Sequence, residues 1–303
     1  MKTVRVAGLD IKVPPGSAFA CATPPMMPKM HFLCACIGKR GSGKMVASVN
    51  LLEQLRVVDR LFYVSPSANS NSAGLSRLAS PQGPLAPEDM YSNVNDVSIL
   101  SDIVNKIEAE RDDLEECRKK LKLYREAVRK INSQVALFHI PEEQMIAYGE
   151  GPPKHRWGGR PPCIVIYFDD ILGSQLMIGK GAREIARICL YHRHLGGFTD
   201  PKEHGAIGAS LLFNAQAWKT SVGGLPKSLR NNLTLMMLFK TKSSRELQEI
   251  AEEVSGEVDE QTFYDVYRQA IQQPHDFLFI DLHRKPSHPS MFRRNFNEFI
   301  LPQ

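Results

Sequence analysis

A short segment near the start of the chain has the composition of a loop that binds phosphate. It reads Gly38-Lys39-Arg40-Gly41-Ser42-Gly43-Lys44, which has the spacing Gly-x-x-x-x-Gly-Lys. Glycines allow backbone N–H groups to curl around a phosphate, and a lysine at the end of such a loop reaches the terminal phosphates of a nucleotide. We therefore predict that residues 38–45 bind a nucleotide, although a glycine-rich turn that binds nothing has the same composition.

The segments on either side of the loop support this prediction. His31 to Ile37 is a short apolar run, as expected of a buried strand, and apolar residues recur at helical spacing after the loop. These residues are Val46, Val49, Leu52 and Leu55. A strand, a loop and then a helix form the context in which the motif binds phosphate, because the helix N-terminus adds a partial positive charge.

The residue after Lys44 departs from the usual pattern. Met45 stands where a Ser or Thr normally supplies Mg²⁺ with a hydroxyl ligand, and a thioether is a poor ligand for so hard a cation. Because Mg²⁺ keeps much of its water shell, a carboxylate and ordered waters would still be able to hold it. The sequence leaves open whether Met45 lowers activity.

A second apolar run ends in two adjacent carboxylates. The run Cys163-Ile-Val-Ile-Tyr-Phe-Asp169-Asp170 predicts a buried strand with acids at its carboxyl end. In ATPases with a phosphate loop, one such acid joins the Mg²⁺ shell and a neighbouring acid orients the attacking water. We assign the metal to Asp169 and the water to Asp170. A strand that ends in a solvated Asp-Asp turn is the alternative, and it is weakened because both motifs occur in one chain.

The composition limits the class of protein. The chain has 303 residues, 43% of them hydrophobic, and no apolar run is long enough to span a bilayer. The net charge of +5 permits a polyanionic partner without demonstrating one. None of the six cysteines belongs to a CxxC pair, which predicts no structural zinc and a reducing, intracellular setting.

Alternating strand-like and helix-like segments predict an α/β fold with a mostly parallel sheet. Since ligands bind at the carboxyl ends of parallel strands, we expect Lys44, Asp169 and Gln216 to converge there. Residues 1–29 are assigned to an N-terminal arm and residues 30–303 to a single domain. Besides the two runs above, the predicted strands are Val4–Val13, Leu61–Ser65, Ala209–Gln216, Leu233–Phe239 and Asp276–Asp281, and the predicted helices are Ala182–Leu195, Ser244–Val254 and Glu260–Gln272.

Two further segments are charged. Residues 101–132 carry nine Lys/Arg and eight Asp/Glu, with apolar residues seven apart at Ile107, Leu114, Leu121 and Val128. This spacing predicts a long inserted helix that packs against another helix, of its own chain or a neighbour's, or lies over the core with a solvated charged face. Residues 148–162 are rich in Gly and Pro, with basic side chains around Trp157, and predict a basic loop.

Taken together, these motifs resemble those of one family. The phosphate loop and the Asp-Asp strand are followed in order by Tyr191-His-Arg-His194, Asn214-Ala-Gln216, Leu225-Pro-Lys-Ser-Leu-Arg230-Asn231-Asn232 and His275-Asp-Phe-Leu278. From about Lys29 to Ile300 the chain resembles the poxvirus-type virion packaging ATPases of large DNA viruses and virophages, in the FtsK–HerA superfamily. The His-Arg-His, Gln and Pro-Lys-Ser-Leu-Arg-Asn segments are far more specific than the first two motifs.

The resemblance implies a P-loop NTPase fold of the RecA/FtsK type, with a mostly parallel central sheet flanked by helices. It implies ATP and Mg²⁺ as cofactors and a homo-oligomeric ring that drives double-stranded DNA into a preformed capsid, with capsid or portal-vertex proteins as partners. It also implies a location in the host cytoplasm, in viral factories, and in the virion. By the same analogy Gln216 senses the γ-phosphate, and Arg230 is the candidate arginine finger for a neighbouring subunit, with Arg193 as its competitor.

Other interpretations remain open. Met45 favours a hydrolysis-poor nucleotide-binding subunit of a capsid or ring, and a cellular or plasmid DNA pump of the FtsK–HerA type would have the same chemistry with another cargo. Gln216 has a plain alternative role in capping the next turn, and Arg230 in a DNA contact or a surface salt bridge. His192 and His194 point apart at their spacing, which predicts packing or hydrogen bonding rather than a metal site.

Overall fold

The computed structural model describes residues 21–70, 72–200, 205–219, 225–254 and 258–302, and within them the apolar runs form one nine-stranded sheet. The strands are β1 (Leu33–Ile37), β2 (Arg60–Val64), β3 (Met90–Tyr91), β4 (Ile164–Asp169), β5 (Ala209–Ala215), β6 (Leu235–Phe239), β7 (Phe277–Asp281), β8 (Phe292–Arg294) and β9 (Glu298–Ile300). Their order is β3-β2-β4-β5-β1-β6-β7-β8-β9. The pairings from β3 to β6 are parallel and those from β6 to β9 are antiparallel, so the predicted fold class is confirmed.

Helices cover both faces of this sheet. They are α1 (Lys44–Leu55), α2 (Ser72–Leu75), α3 (Ser98–Asn132), α4 (Glu142–Glu150), α5 (Gly179–Tyr191), α6 (Lys227–Arg230), α7 (Ser244–Val254) and α8 (Glu260–Ala270). Side chains of β1 alternate between two apolar clusters, with Leu33, Ala35 and Ile37 in one and Cys34 and Cys36 in the other. Burial on both faces explains why the parallel strands read as continuous apolar runs.

Predicted and observed elements differ most near the C-terminus. The predicted strand at 276–281 is β7, which runs antiparallel to β6 and is followed by two strands that the sequence did not predict. Strands as short as β8 and β9 contain too few residues for an apolar period to be recognised. The predicted strand at Val4–Val13 lies outside the described residues. Across the part of the chain that the structure describes, no helix is long and apolar enough to cross a membrane.

The long charged helix is present as α3 and packs in two different ways. Its first half lies over the core, where Ile107 and Leu114 are buried. Its second half packs against α4, where the ring of Tyr124 stacks on that of Tyr148 at 6.3 Å. Both predicted arrangements therefore occur in one helix, and α4, which the sequence analysis missed, is a partner helix from the same chain.

Glu110 lies three residues after Ile107, at a position where the heptad pattern would have a second apolar residue, and it forms a buried ion pair. Its Oε1 lies 2.8 Å from Arg60 Nη1, and its Oε2 accepts a hydrogen bond of 2.6 Å from the indole N–H of Trp157. Arg60 also binds both carboxylate oxygens of Asp89, at 2.8 and 2.9 Å. These contacts attach α3 to the first residue of β2, so the charge at this seam position has a structural role.

The predicted basic loop at 148–162 is present from residue 151 onward, because α4 continues through Glu150, and most of its basic side chains lie near carboxylates. Three of its four basic side chains lie against carboxylates. Arg156 pairs with Glu110 and Arg160 with Asp59, and His155 Nε2 lies 3.2 Å from Asp113 Oδ2. The loop therefore offers less free positive charge than its sequence indicates.

Cys21 and Cys163 form a disulfide, which the spacing of the cysteines did not predict. Their Cα atoms lie 6.5 Å apart although 142 residues separate them in the sequence. The bridge attaches the segment 21–29, assigned to the arm, to the start of β4, and Lys285 Nζ also binds Thr23 Oγ1 at 2.8 Å. The domain boundary after residue 29 and the reducing setting stay predictions.

We expect Glu110→Ala to lower the free energy of unfolding by about 3 kcal/mol, because Arg60 and Trp157 lose a shared acceptor that is screened from water. Urea denaturation measures this change. The matched control is Glu116→Ala on the same helix, whose ion pair with Lys120 is exposed, and for which we expect little change. Equal losses in the two variants would contradict the structural role of Glu110.

Candidate nucleotide site

The phosphate loop joins the end of β1 to the start of α1, and its glycines are required by its geometry. Gly41 and Gly43 have φ angles of 77° and 101°, in the left-handed region that other residues rarely adopt. A Cβ atom on Gly38 would lie 2.6 Å from Ser42 Oγ and 2.8 Å from Phe239 Cβ. Ser42 Oγ is buried and has no hydrogen-bond partner. The loop thus holds an unused hydroxyl donor.

Lys44 lies at the mouth of this loop, within electrostatic reach of both predicted acids. Its Nζ donates a hydrogen bond of 2.6 Å to the carbonyl oxygen of Gly38. Burial lowers the pKa of Lys44, while Cys36, Asp169 and Asp170 act in the opposite direction. The other cations of the motif, at positions 39 and 40, are exposed. The ammonium of Lys44 is therefore the group positioned to meet a terminal phosphate.

Asp169 is buried at the end of β4, and both of its carboxylate oxygens accept hydrogen bonds. Tyr63 donates to Oδ2 at 2.9 Å and the Asn214 amide donates to Oδ1 at 2.8 Å. Asn214 faces Asp169 because the two residues are paired in the parallel register of β4 and β5. Burial raises the pKa of Asp169, although these hydrogen bonds oppose that shift.

The hydrogen-bond network around Asp169 continues into α1. The Asn214 amide oxygen accepts a bond of 2.9 Å from Ser48 Oγ, and its amide nitrogen also donates to Tyr167 Oη at 2.5 Å. Sequence analysis assigned no role to Ser48, Tyr63 or Tyr167. Asn214 belongs to the Asn-Ala-Gln motif, and its hydrogen bond to Asp169 gives this residue of the motif a structural role.

Asp170 and Gln216 meet directly. Gln216 Nε2 donates a hydrogen bond of 2.9 Å to Asp170 Oδ1, and both side chains are exposed. Asp170 has a φ of 54°, an uncommon conformation for a residue other than glycine and one that occurs often at functional sites. The structure thus brings together the strand ends that were expected to converge, while the roles of the residues in hydrolysis stay predictions.

Met45 is half-buried and packs on α2. A Cβ atom on Gly74 would lie 2.7 Å from Met45 Sδ, so the glycine leaves the space that the thioether occupies. Met45 also lies against the apolar cluster formed by α1 and one face of the sheet. The residue that replaces the usual hydroxyl therefore has a packing role.

His275, which sequence analysis noted only within a family segment, contacts the phosphate loop. Its Nδ1 donates to the carbonyl oxygen of Ser42 at 3.1 Å, and a Cβ atom on Gly43 would lie 3.4 Å from the same nitrogen. His275 has a φ of 70°, in the left-handed region. The segment between α8 and β7 therefore supports the loop from the side.

The two candidate arginine fingers lie in different surroundings. Arg230 Nη1 is 2.5 Å from Glu253 Oε1, and its guanidinium lies over the ring of Trp218 at 5.4 Å. Within its own subunit Arg230 thus forms a salt bridge, and its role toward a neighbour stays a prediction. Arg193 is exposed and lines a cavity of about 680 Å³ beside Phe32, at the edge of the sheet where β1 begins. That edge is opposite the phosphate loop.

His192 has the hydrogen-bonding role that its spacing predicted. Its ring nitrogens lie 2.8 Å from the carbonyl oxygen of Cys189 and 3.0 Å from that of His31. Burial lowers the pKa of His192, whereas His194 is exposed. His192 therefore joins the end of α5 to the residues before β1.

The residues of the site fit Mg²⁺ held largely through water. Across the described residues, no group of three or more His, Cys, Asp or Glu side chains could hold a metal ion. Mg²⁺ usually keeps several waters and takes one or two carboxylates plus phosphate oxygens, and Asp169 supplies such a carboxylate at the end of β4. The sites of the cation and of the nucleotide are therefore compatible with Met45 in place of a hydroxyl.

No protein-family model matches the chain, and no curated protein sequence matches it. Similar solved structures include the genome packaging NTPase B204 of Sulfolobus turreted icosahedral virus 2 with AMP, at 12% identity and a TM-score of 0.43, covering 87% of this chain and 96% of that one. EssC (ATPases 2 and 3) of Geobacillus thermodenitrificans has 14% identity, a TM-score of 0.43 and coverages of 83% and 38%. The pCW3 conjugation coupling protein TcpA with ATPgS has 14% identity, a TM-score of 0.41 and coverages of 88% and 61%.

These neighbours are NTPases, ATPases and a conjugation coupling protein. With TM-scores below 0.5, such likenesses carry no evidence about the chemistry of this chain. That chemistry depends on the residues at the ends of β1, β4 and β5.

We expect His275→Ala to weaken ATP binding about fivefold, the effect of losing one hydrogen bond of about 1 kcal/mol that holds the loop in its binding conformation. Titration with a fluorescent ATP analogue measures the affinity. His275→Asn is the matched control, because Asn tolerates the left-handed conformation and can donate to the Ser42 carbonyl. An unchanged affinity in a folded His275→Ala variant would show that this contact does not support the loop.

Proposed function

We propose that this protein is an ATPase that uses ATP hydrolysis to translocate double-stranded DNA. The observation that carries the proposal is the hydrogen bond between Gln216 and Asp170 at 2.9 Å, at the strand ends beside the phosphate loop. It joins a carboxylate suited to activate water to an amide suited to detect the γ-phosphate. A nucleotide-binding loop without hydrolysis needs neither group in this arrangement.

Each residue of the site contributes a separate part of the chemistry. Backbone N–H groups of the loop and the hydroxyl of Ser42 bind phosphate oxygens, and Lys44 neutralises charge on the terminal phosphates. Asp169 is the carboxylate that would hold Mg²⁺, and the cation would supply positive charge to neutralise the charge that develops on the phosphate oxygens. Asp170 accepts a hydrogen bond from the attacking water and orients it in line with the γ-phosphate.

The link between Gln216 and Asp170 also supplies a means of coupling hydrolysis to movement. A γ-phosphate that attracts the amide of Gln216 changes the hydrogen bond that this amide makes to Asp170. The state of the nucleotide is thereby communicated to the catalytic carboxylate and to the segment after β5. Arg230 would act in a neighbouring subunit after release from Glu253, where a guanidinium stabilises charge on the transferring phosphoryl group.

The finer part of the proposal is genome packaging. The motif set from the His-Arg-His segment to the Pro-Lys-Ser-Leu-Arg-Asn segment supports a homo-oligomeric ring that drives viral DNA into a preformed capsid, with capsid or portal-vertex proteins as partners. On this proposal the protein acts in the host cytoplasm, in viral factories, and in the virion. A cellular or plasmid DNA pump is the same activity with another cargo.

Met45 supports a second candidate, a nucleotide-binding subunit of a ring or capsid that hydrolyses ATP poorly. The packing of Met45 against Gly74 opposes this reading, because it accounts for the thioether without a loss of function.

ATP hydrolysis measured with and without duplex DNA tests the proposal. We expect turnover that rises with duplex DNA and is abolished in Lys44→Ala. Asp170→Asn should reduce turnover at least about a hundredfold with ATP affinity largely unchanged, because water activation is lost while the loop is intact. Full turnover in Asp170→Asn would require another residue to activate the water.

Asp169→Asn serves as the matched control and should behave differently. We expect Mg²⁺-dependent ATP binding to weaken, because the carboxylate that would hold the cation is lost. We also expect the thermal midpoint at neutral pH to fall, because the amide nitrogen of the new side chain would face a second donor, either the hydroxyl of Tyr63 or the amide of Asn214. An equal or higher thermal midpoint would show that the cost of burying the ionised carboxylate, which raises the pKa of Asp169, outweighs these hydrogen bonds.

Met45→Thr distinguishes the two candidate functions. If Mg²⁺ coordination is deficient, the added hydroxyl should lower the Mg²⁺ concentration for half-maximal ATPase activity and raise turnover, and a tenfold gain corresponds to about 1.4 kcal/mol of barrier. We expect instead an unchanged Mg²⁺ dependence and a modest loss of stability, because Met45 fills space beside Gly74. Met45→Leu, which restores apolar volume without an oxygen, is the control. A tenfold gain in Met45→Thr alone would favour the hydrolysis-poor subunit.

A further inference from the structure

The outer half of α3 carries a row of cations that the nucleotide site does not use. Residues 118–130 include seven Lys/Arg and one acidic residue. Lys122, Arg125 and Arg129 are exposed, and at 3.6 residues per turn they lie within about 60° of one another around the helix. We call these three residues the basic stripe.

The basic stripe projects from the edge of the sheet that is opposite the phosphate loop. At Glu110, α3 contacts Arg60, the first residue of β2, and it therefore passes the edge where the parallel strands begin. Arg118 still contacts the body of the domain, with its guanidinium 5.1 Å from the ring of Phe198. Farther along, Ala127 is buried on the side of the helix opposite the basic stripe, the side covered by α4. The stripe faces away from both the domain and α4.

The cations of the basic stripe differ from several others on this protein, because they have no acidic partner among the described residues. In the described part of the chain, none of the three forms an ion pair or a hydrogen bond. On the same helix Lys106 and Arg111 are paired with Asp89 and Asp112, and the basic loop is paired as described above. Like charges three and four residues apart destabilise a helix slightly, and a partner of opposite charge would remove this repulsion.

More positive groups lie at the same edge of the sheet. Lys29, Arg193 and Arg284 line the cavity of about 680 Å³ at the start of β1. Asp281 also lines this cavity, so the cations there are partly offset, and the basic stripe is the part of this edge that has no acidic partner among the described residues.

We propose that the basic stripe binds the phosphate backbone of duplex DNA. From Lys122 to Arg129 the helix rises about 10.5 Å, which matches about three phosphates of one strand at about 3.4 Å each along the duplex axis. The nearby Tyr124 is stacked on Tyr148, so its ring is not free to stack on the bases of a single strand. The choice of DNA among polyanions rests on the proposed translocase function. The site is remote from the nucleotide, so DNA bound here leaves the phosphate loop accessible.

The test compares two triple variants of the full chain. Lys122→Gln/Arg125→Gln/Arg129→Gln removes the basic stripe, and Lys180→Gln/Arg183→Gln/Arg187→Gln makes the same change in charge on exposed positions of α5. Binding of a labelled 30-base-pair duplex is followed by fluorescence anisotropy without nucleotide over a series of NaCl concentrations. We expect the stripe variant to lose at least tenfold in affinity, and the slope of log K against log [NaCl] to decrease by about 2 to 3. The α5 variant should keep most of the slope.

Each of the following results would overturn the inference. They are an unchanged slope in a folded stripe variant, an equal loss in the α5 variant, and tighter binding of the parent to poly-glutamate than to duplex at equal charge, which would identify an acidic protein as the partner. ATP hydrolysis without DNA is measured on the same samples and should be equal in all three proteins, because neither triple variant touches the nucleotide site. If the parent hydrolyses ATP but binds no duplex, the inference that the basic stripe binds DNA is refuted, while the proposed ATPase activity is not. If the parent does not hydrolyse ATP, the proposed function itself is refuted.

Discussion

A buried carboxylate, that of Asp169, is the constraint on which the rest of the site depends. An ionised acid at this depth is costly unless its oxygens are hydrogen-bonded, and here Tyr63 and Asn214 each donate one bond. Asn214 is oriented in turn by Ser48 of α1. The network therefore requires β2, β4, β5 and α1 to hold one relative position, and the same position aligns the phosphate loop with the acids. A partly satisfied network would be worse than none, which makes this arrangement specific.

The parallel register of the sheet divides the molecule into two functional edges. The ends of β1, β4 and β5 bring Lys44, Asp170 and Gln216 to one edge, where the nucleotide chemistry is proposed to occur. The starts of the same strands form the other edge, which α3 crosses after the Glu110–Arg60 ion pair. A single rigid helix thus spans the height of the sheet.

Charge pairing separates two segments that look alike in the sequence. The loop around Trp157 and the outer half of α3 are both rich in Lys and Arg. Arg156 and Arg160 lie against carboxylates, whereas Lys122 and Arg125 contact none in the part of the chain that the structure describes. Whether a basic side chain forms an ion pair depends on which acidic side chains the fold places beside it. The net charge of a segment does not contain this information. Met45 is a second example. The motif shows only that the usual hydroxyl is missing, and it cannot predict that Met45 packs against α2.

The sequence by itself determined the parts of this protein that depend on neighbours along the chain. Local spacing identified the phosphate loop, the strand that ends in Asp169 and the long helix, since φ preferences of glycine and the periods of strands and helices act over a few residues. Only the tertiary structure decided which distant groups meet. His275 reaches the phosphate loop across 233 positions, Tyr63 reaches Asp169 across 106, and Cys21 meets its partner across 142. Such pairings follow from the register of strands that are far apart in the chain, and no local pattern of residue types specifies that register.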